Sequence, residues 1–418
     1  MNHHDREVLE ADVANRLFRA SQATALPDRV GFELELLPMA PVGSRVPVEG
    51  REGMRARLER LAARVNWTWN PEGTFQAPCG CRISFEPGGQ LEVSTATAPT
   101  IDRAIDCLEA VHGPLTTLEG VELLALGYDP VTPLTKTTLQ LSAERYRAMQ
   151  AHFDARGDAG VRMMRQSCAL QINLDLGARP FLRWNAANRI APLLTAIFAN
   201  SPMADGRDTG WRSVRAAQWL ALDPSRTGVV GPGRAPVDEY LEYALAAEPF
   251  LTGSAPFVEG GQPTTAWRTH LSTLFPDVRP RGYLELRCLD TVPVEWLAAP
   301  LVFSLCLLYD EQALARVLEA LPLPTAADRA GAARDGLADP RRRARACWAF
   351  ELALEAGERL RPLHLGPDVW ARAARYYEAF TARGLDLGSR PVPAAAVRQA
   401  NGWAPAGPAG VTARRGGA

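Results

Sequence analysis

Five short segments of this chain alternate apolar and polar residues with a period of two. In Gly31-Phe32-Glu33-Leu34-Glu35-Leu36, the residues Phe32, Leu34 and Leu36 oppose Glu33 and Glu35. In Cys81 to Glu86, Ile83 and Phe85 oppose Ser84 and Glu86; past the turn Pro87-Gly88-Gly89, Leu91 and Val93 oppose Glu92 and Ser94. Leu170, Ile172 and Leu174 oppose Gln171, Asn173 and Asp175, and Leu284 and Leu286 oppose Tyr283, Glu285 and Arg287. Successive side chains of a strand point to opposite faces, so each segment predicts a strand with one aliphatic face and one polar face. Like charges on one strand face repel unless something separates them. The pair Glu33 and Glu35 therefore reads either as the wet side of an amphipathic strand or as oxygen ligands for a hard cation.

A period near 3.6 fills the intervals and predicts helices. An opening helix runs from about Asp5 to Ala23 and is ended by Pro27; others span Met54 to Val65, Ala143 to Arg156, Arg183 to Ala199, Asp238 to Ala247, Glu295 to Leu321, Arg341 to Arg359 and Asp368 to Arg383. Pro322 to Pro340 reads as a loop with a short helix. The fold class is α+β, a mainly antiparallel sheet with helices packed on one side and the polar faces forming a cradle on the other. A single domain over residues 1–387 is expected, followed by a Pro/Ala/Gly/Arg-rich tail over 388–418 that is partly flexible.

Composition narrows the chemistry. The 418 residues are 47% hydrophobic, enough for a large core, and 46 basic against 47 acidic residues leave a net charge of −1. Such balance provides no global field for nucleic acid or an anionic membrane. The N-terminus lacks an apolar signal core, and the apolar stretch Ala298 to Tyr309 is too short to span a bilayer, so a soluble, cytoplasmic protein is expected. The seven cysteines and six histidines lack the spacing of zinc or dithiol sites; Cys79 and Cys81 are the only close cysteine pair. Lys136 is the only lysine, and no Gly-rich loop precedes it, which excludes a Walker-type phosphate loop and makes arginine and metal the natural partners of any phosphate.

Taken in order, several motifs resemble one family. Gly31-Phe32-Glu33-Leu34-Glu35, Phe85-Glu86-Pro87-Gly88-Gly89-Gln90-Leu91-Glu92 and Tyr283-Leu284-Glu285-Leu286-Arg287 are similar to the acidic motifs of glutamate–cysteine ligases of the plant and proteobacterial type, and in particular to the actinobacterial branch serving ergothioneine synthesis. Met163 to Asp175, Asn200-Ser201-Pro202, Arg207 to Arg212, Leu222 to Gly228 and His270 to Pro276 match in the same order. The resemblance covers roughly residues 25–385. It implies a curved sheet like that of glutamine synthetase and the guanidino kinases, with helices on the convex side and ATP and two or three magnesium ions on the concave side. It further implies that ATP activates the γ-carboxylate of glutamate as an acyl phosphate, which the amine of cysteine attacks.

Carried over residue by residue, Glu33, Glu35, Glu92 and Glu285 resemble the metal ligands, with Glu86 as a fifth candidate. Arginine is the side chain that grips phosphoryl and carboxylate groups through forked hydrogen bonds. Arg287 is the first candidate for that role, joined by Arg279 and Arg215 as catalytic candidates. Gln171, Asn173, Arg212, Arg226, Tyr283, Arg281 and His270 are expected to contact nucleotide or substrate, or else to satisfy polar groups within the fold. Two alternatives stay open on sequence alone: a ligase using another amine, and a silent nucleotide-binding protein. The oligomeric state is not fixed by the sequence.

Overall fold

The computed structural model describes residues 2–19, 29–70, 73–231 and 233–391. Nine strands form one open sheet: β1 (Val30–Met39), β2 (Thr68–Trp69), β3 (Phe75–Gln76), β4 (Arg82–Phe85), β5 (Leu91–Ser94), β6 (Glu122–Leu124), β7 (Ala169–Asp175), β8 (Val278–Pro280) and β9 (Tyr283–Asp290). Their order in space is β8-β9-β7-β1-β5-β4-β3-β2, with β6 on the C-terminal end of β1, and every paired neighbour is antiparallel. The expected antiparallel α+β architecture is what the chain adopts.

Alternation decides which way each strand faces. Phe32, Leu34, Leu36, Ile83, Phe85, Leu91, Val93, Leu170, Ile172, Leu174, Leu284 and Leu286 all enter one core. Packed into that same core are the helices Ile101–Leu115 and Pro180–Ile197, with Ala298–Tyr309 buried along its whole length. A helix apolar on all sides must be enclosed, and that is how its sequence is accommodated. Truncating a central residue such as Leu34, which is fully buried, would cost roughly 2–5 kcal/mol. Among the described residues no single helix is long and apolar enough to cross a membrane.

Several helices differ from their sequence-based limits. The first α-helix is His3–Asp12 and continues as a π-helical turn over Val13–Leu17; the expected end at Ala23 lies outside the described residues, as does most of the tail. The single expected helix from Glu295 to Leu321 is broken into Ala298–Tyr309 and Glu311–Ala320, because Asp310 leaves helical geometry and its carboxylate accepts from the Ala313 N–H as an N-cap. The segment Pro322 to Pro340, expected as a loop with a short helix, does contain one, Ala326–Asp335.

The opposite face of the sheet carries the polar residues in a defined register. Glu35 pairs with Glu92 and Glu92 with Ser84; Glu33 lies between Ser94 and Gln171; Asn173 faces Glu285, and Glu285 faces Arg279. Between Leu286 and Leu289 strand β9 has a bulge, which inserts one extra residue and changes how Arg287 is aimed. The helices Glu144–Asp154, Asp158–Gln166 and Val214–Leu222 share a smaller core of Met149, Phe153, Met163, Met164, Leu222 and Phe275 beside this face.

Candidate active site

The polar face divides into an acidic end and a cationic end. At the acidic end, Glu35, Glu86 and Glu92 bring carboxylate oxygens within 4.8 Å of one another. Glu35 is fixed by the Ala169 N–H, which donates to Oε2 at 2.8 Å, and by the Gln171 amide at 3.4 Å. Glu92 accepts from the hydroxyls of Ser94 at 2.8 Å and Ser84 at 3.1 Å. Glu33 stands at the edge of the group and accepts from the Asn173 amide at 3.4 Å.

Glu86 comes from the β4–β5 turn, whose position is set by close backbone approach. The Gly89 N–H donates to the Glu86 carbonyl at 2.8 Å, and Gly89 has φ +84°, a conformation that favours glycine. At Gly88 a Cβ would lie 2.4 Å from the Cα of Arg165, so only glycine lets the turn sit on the end of the helix Asp158–Gln166. Arg45 clamps the turn by donating to the Gly88 carbonyl at 2.8 Å while pairing with the buried Asp129 at 3.1 Å.

These acids have too few cations. Burial, followed by the charge of Glu92, pushes both Glu33 and Glu35 up to about 7; Glu285 adds to the shift of Glu33. Burial together with Glu92 and Glu35 raises Glu86 well above the ordinary carboxylate range. A cluster of oxygen donors in this state suits a hard divalent cation, which would remove the repulsion that raises these values.

Glu285, expected among the metal ligands, lies at the other end of the face. It is 1% exposed, and its oxygens are taken by arginines: Arg279 grips it with Nε and with Nη2 at 3.0 Å, Arg281 reaches it at 3.1 Å and Arg287 at 3.4 Å. Burial raises its pKa, but Arg279, Arg287 and Arg281 outweigh burial and hold it well below the usual range. Gln171 joins the two ends, accepting from Arg287 through Oε1 and donating to Glu35 through its amide nitrogen. Arg215, 2% exposed, donates to the Arg287 carbonyl at 2.7 Å and is the strongest cationic influence on Glu35.

Two recesses adjoin the cationic end. One is lined by Arg215, Trp219, Phe275, Arg287 and Arg329, among others. The second is bordered by Arg279, Arg281 and Tyr283 and also by Arg16, Arg145 and Arg268. Sequence reasoning missed Arg145, Arg268 and Trp219, which look like ordinary helical positions. Ser84 and Ser94 had a readable signal, since each shares a strand face with a candidate acid.

Three expected contact residues lie on internal business elsewhere. Arg212 pairs with Asp386 and donates to the Ser389 hydroxyl at 2.7 Å, tying down the segment that precedes the tail. Arg226 is fully buried, reaching Asp223 at 3.1 Å and the Thr273 hydroxyl at 2.8 Å while stacking on Phe250. The His270 ring meets the Ala244 carbonyl at 2.7 Å and stacks on Phe257, and burial lowers its pKa. Each of these side chains is held by partners within the fold, the alternative that the sequence left open for them. Gln171, Asn173, Tyr283, Arg279, Arg281, Arg287 and Arg215 do meet at the site, whereas all seven cysteines are unpaired thiols.

Comparison with known proteins fits this geometry. The family model described as Glutamate-cysteine ligase family 2 matches residues 29–391. The glutamate–cysteine ligase EgtA of Mycolicibacterium smegmatis is 38% identical over 312 residues, covering 66% of this chain and 71% of that protein. The chloroplastic glutamate–cysteine ligase of Medicago truncatula is 31% identical over 326 residues, covering 70% of this chain and 62% of its own length. Among solved structures, a glutamate–cysteine ligase from Francisella tularensis in complex with AMP aligns with 90% of this chain and 92% of its own at 12% identity, with a TM-score of 0.49.

Proposed function

The chain belongs to glutamate–cysteine ligase family 2, and we propose that it couples the cleavage of ATP to joining the γ-carboxylate of glutamate and the amine of cysteine. The observation that carries this reading is the placement, on one sheet face, of the convergent carboxylates Glu35, Glu86 and Glu92 beside the arginines Arg279, Arg287 and Arg215. ATP and a carboxylate nucleophile are both anions, so their reaction needs cations on both sides of the bond being made.

Glu35, Glu86 and Glu92, with Glu33 at their edge, are the residues that would hold magnesium. When bound, it supplies positive charge to the phosphate oxygens. Arg287 and Arg215 grip the transferring phosphoryl group, and their planar donors suit its developing charge. Arg279 and Arg281 fix Glu285 and thereby orient Arg287. The arginine-lined recess beyond Tyr283 takes a substrate anion, and Gln171 and Asn173 present amides across the floor between the two ends. In the first step a γ-carboxylate oxygen of glutamate bonds to the γ-phosphorus of ATP and ADP departs. In the second the cysteine ammonium gives up one proton, the freed nitrogen lone pair bonds to the acyl carbon, phosphate departs with the electron pair of the broken carbon–oxygen bond, and the nitrogen loses a second proton to leave the neutral amide. The product, γ-glutamylcysteine, serves ergothioneine or glutathione synthesis.

The test is direct. The protein is incubated with ATP, magnesium and glutamate, with and without cysteine or other amines, and phosphate release and product mass are recorded. A cysteine-dependent product with the mass of γ-glutamylcysteine is expected. Coupling only to a different amine would replace the acceptor, and no turnover with any amine would refute the ligase reading.

A further inference from the structure

Asp290, the last residue of β9, is 1% exposed and is used by none of the steps above. Its Oδ2 accepts from the Asn200 N–H at 2.8 Å and the Ser201 hydroxyl at 2.7 Å, and its Oδ1 accepts from the Ser213 hydroxyl at 2.8 Å. An ionised carboxylate only accepts, so it draws the single proton of each serine hydroxyl toward itself. The lone pairs of both hydroxyls are then left for other donors. Ser201 Oγ accepts from the Arg215 N–H at 3.3 Å, and Ser213 Oγ accepts from the Ala216 N–H at 3.0 Å as the N-cap of Val214–Leu222. One carboxylate thus fixes the backbone at Arg215 and the first turn of its helix.

The arrangement allows little slack. At Gly127 a Cβ would stand 2.4 Å from the Asp290 Cγ, so the carboxylate is pressed against backbone on that side. Ser201 and Ser213 are also bridged through their main chains, with the Val214 N–H donating to the Ser201 carbonyl at 2.9 Å. The Arg215 side chain, by contrast, makes one hydrogen bond among the described residues, to the Arg287 carbonyl at 2.7 Å, and its buried Nε has no hydrogen-bond partner among them. Its aim therefore depends on where its backbone is held.

We propose that Asp290 is a positioning residue that acts through Ser201 and Ser213 to aim Arg215 at the reactive face. This rests on the ligase reading of the site. A displacement of about 1 Å in a reacting group can cost about 10²-fold in rate, which sets the expected scale.

The test is a double-mutant cycle on kcat with Asp290→Ala, Arg215→Ala and the double variant, alongside 5-fluorotryptophan labelling to follow Trp219, whose ring lies 5.8 Å from the Arg215 guanidinium. Each single variant is expected to lower kcat by about tenfold to 10²-fold, with the KM for ATP changed less than about threefold, and the double variant to be no slower than Arg215→Ala. The Trp219 fluorine signal, assigned with Trp219→Phe, is expected to move in Asp290→Ala and to coincide in Arg215→Ala and the double variant. Independent, multiplicative losses in kcat, or an unmoved Trp219 signal in Asp290→Ala, would overturn the proposal. If Asp290→Ala does not fold, Asp290→Asn and Ser213→Ala enter the same cycle with the same expected outcomes. A wild-type protein inactive with every amine refutes the ligase reading, while the fluorine comparison still decides whether Asp290 positions Arg215.

Discussion

Glu35 and Glu285 stand on the same face of the same sheet, 7% and 1% exposed, yet burial has opposite outcomes for them. Glu35 has acids for neighbours and is pushed up to about 7, whereas Glu285 is enclosed by three arginines and stays ionised far below that. The charge of a buried carboxylate is set by its partners rather than by residue type or depth. On the proposed reading, one end of the face would receive a cation from outside, and the other has its cations built in.

The largest predicted effect breaks the acidic end. Glu92→Gln removes the charge that raises Glu33, Glu35 and Glu86, and kcat is expected to fall by about 10²-fold in steady-state assays while apparent magnesium affinity weakens. Unchanged kinetics would remove the metal assignment. The next breaks the cationic end: Glu285→Gln leaves Arg279 without its buried counter-charge and should destabilise the fold by about 3 kcal/mol in denaturant titration, with turnover down at least about tenfold. A stability equal to that of the wild type would contradict the clamp.

A pH series sharpens the contrast. Glu33 and Glu35 have folded-state values raised from 4.5 to about 7, so the folded state holds protons more tightly than the unfolded chain. Their contribution to stability is complete below about pH 4.5 and is lost as pH rises to about 7. Metal-free melting temperature should decline across that window relative to the same protein in magnesium; parallel curves would show that no cation enters the cluster. The smallest effect belongs outside the site. Arg212→Met should lower stability by loosening the Asp386 contact yet leave KM for every substrate within about twofold, and a larger KM change would restore Arg212 to the binding surface.

Much of this was legible in the chain. Period-two alternation placed Glu33, Glu35, Glu92, Gln171, Asn173 and Glu285 on one face, because strand geometry leaves no other choice. Alternation says nothing about neighbours across the sheet. The clamp on Glu285 depends on β8 pairing Arg279 against it, and the aim of Arg287 depends on the bulge in β9, both set by tertiary register. Arg212, Arg226 and His270 sat in motifs that resemble the family's, but alternation could not say that Asp386, Thr273 and the Ala244 carbonyl would be their partners in the fold. Asp290 was invisible for a related reason: its three donors come from residues 77 to 90 positions away in the chain.

The most direct test of the two-ended face is a pair of melting curves at pH 8 in EDTA and in magnesium, comparing Glu92→Gln and Glu285→Gln with the wild type. Without metal, Glu92→Gln should melt above the wild type because it relieves repulsion, and should lose much of the rise that magnesium gives. Glu285→Gln should melt below the wild type in either buffer because it orphans buried arginines. Opposite signs without metal are the prediction, and equal losses in both variants would contradict it.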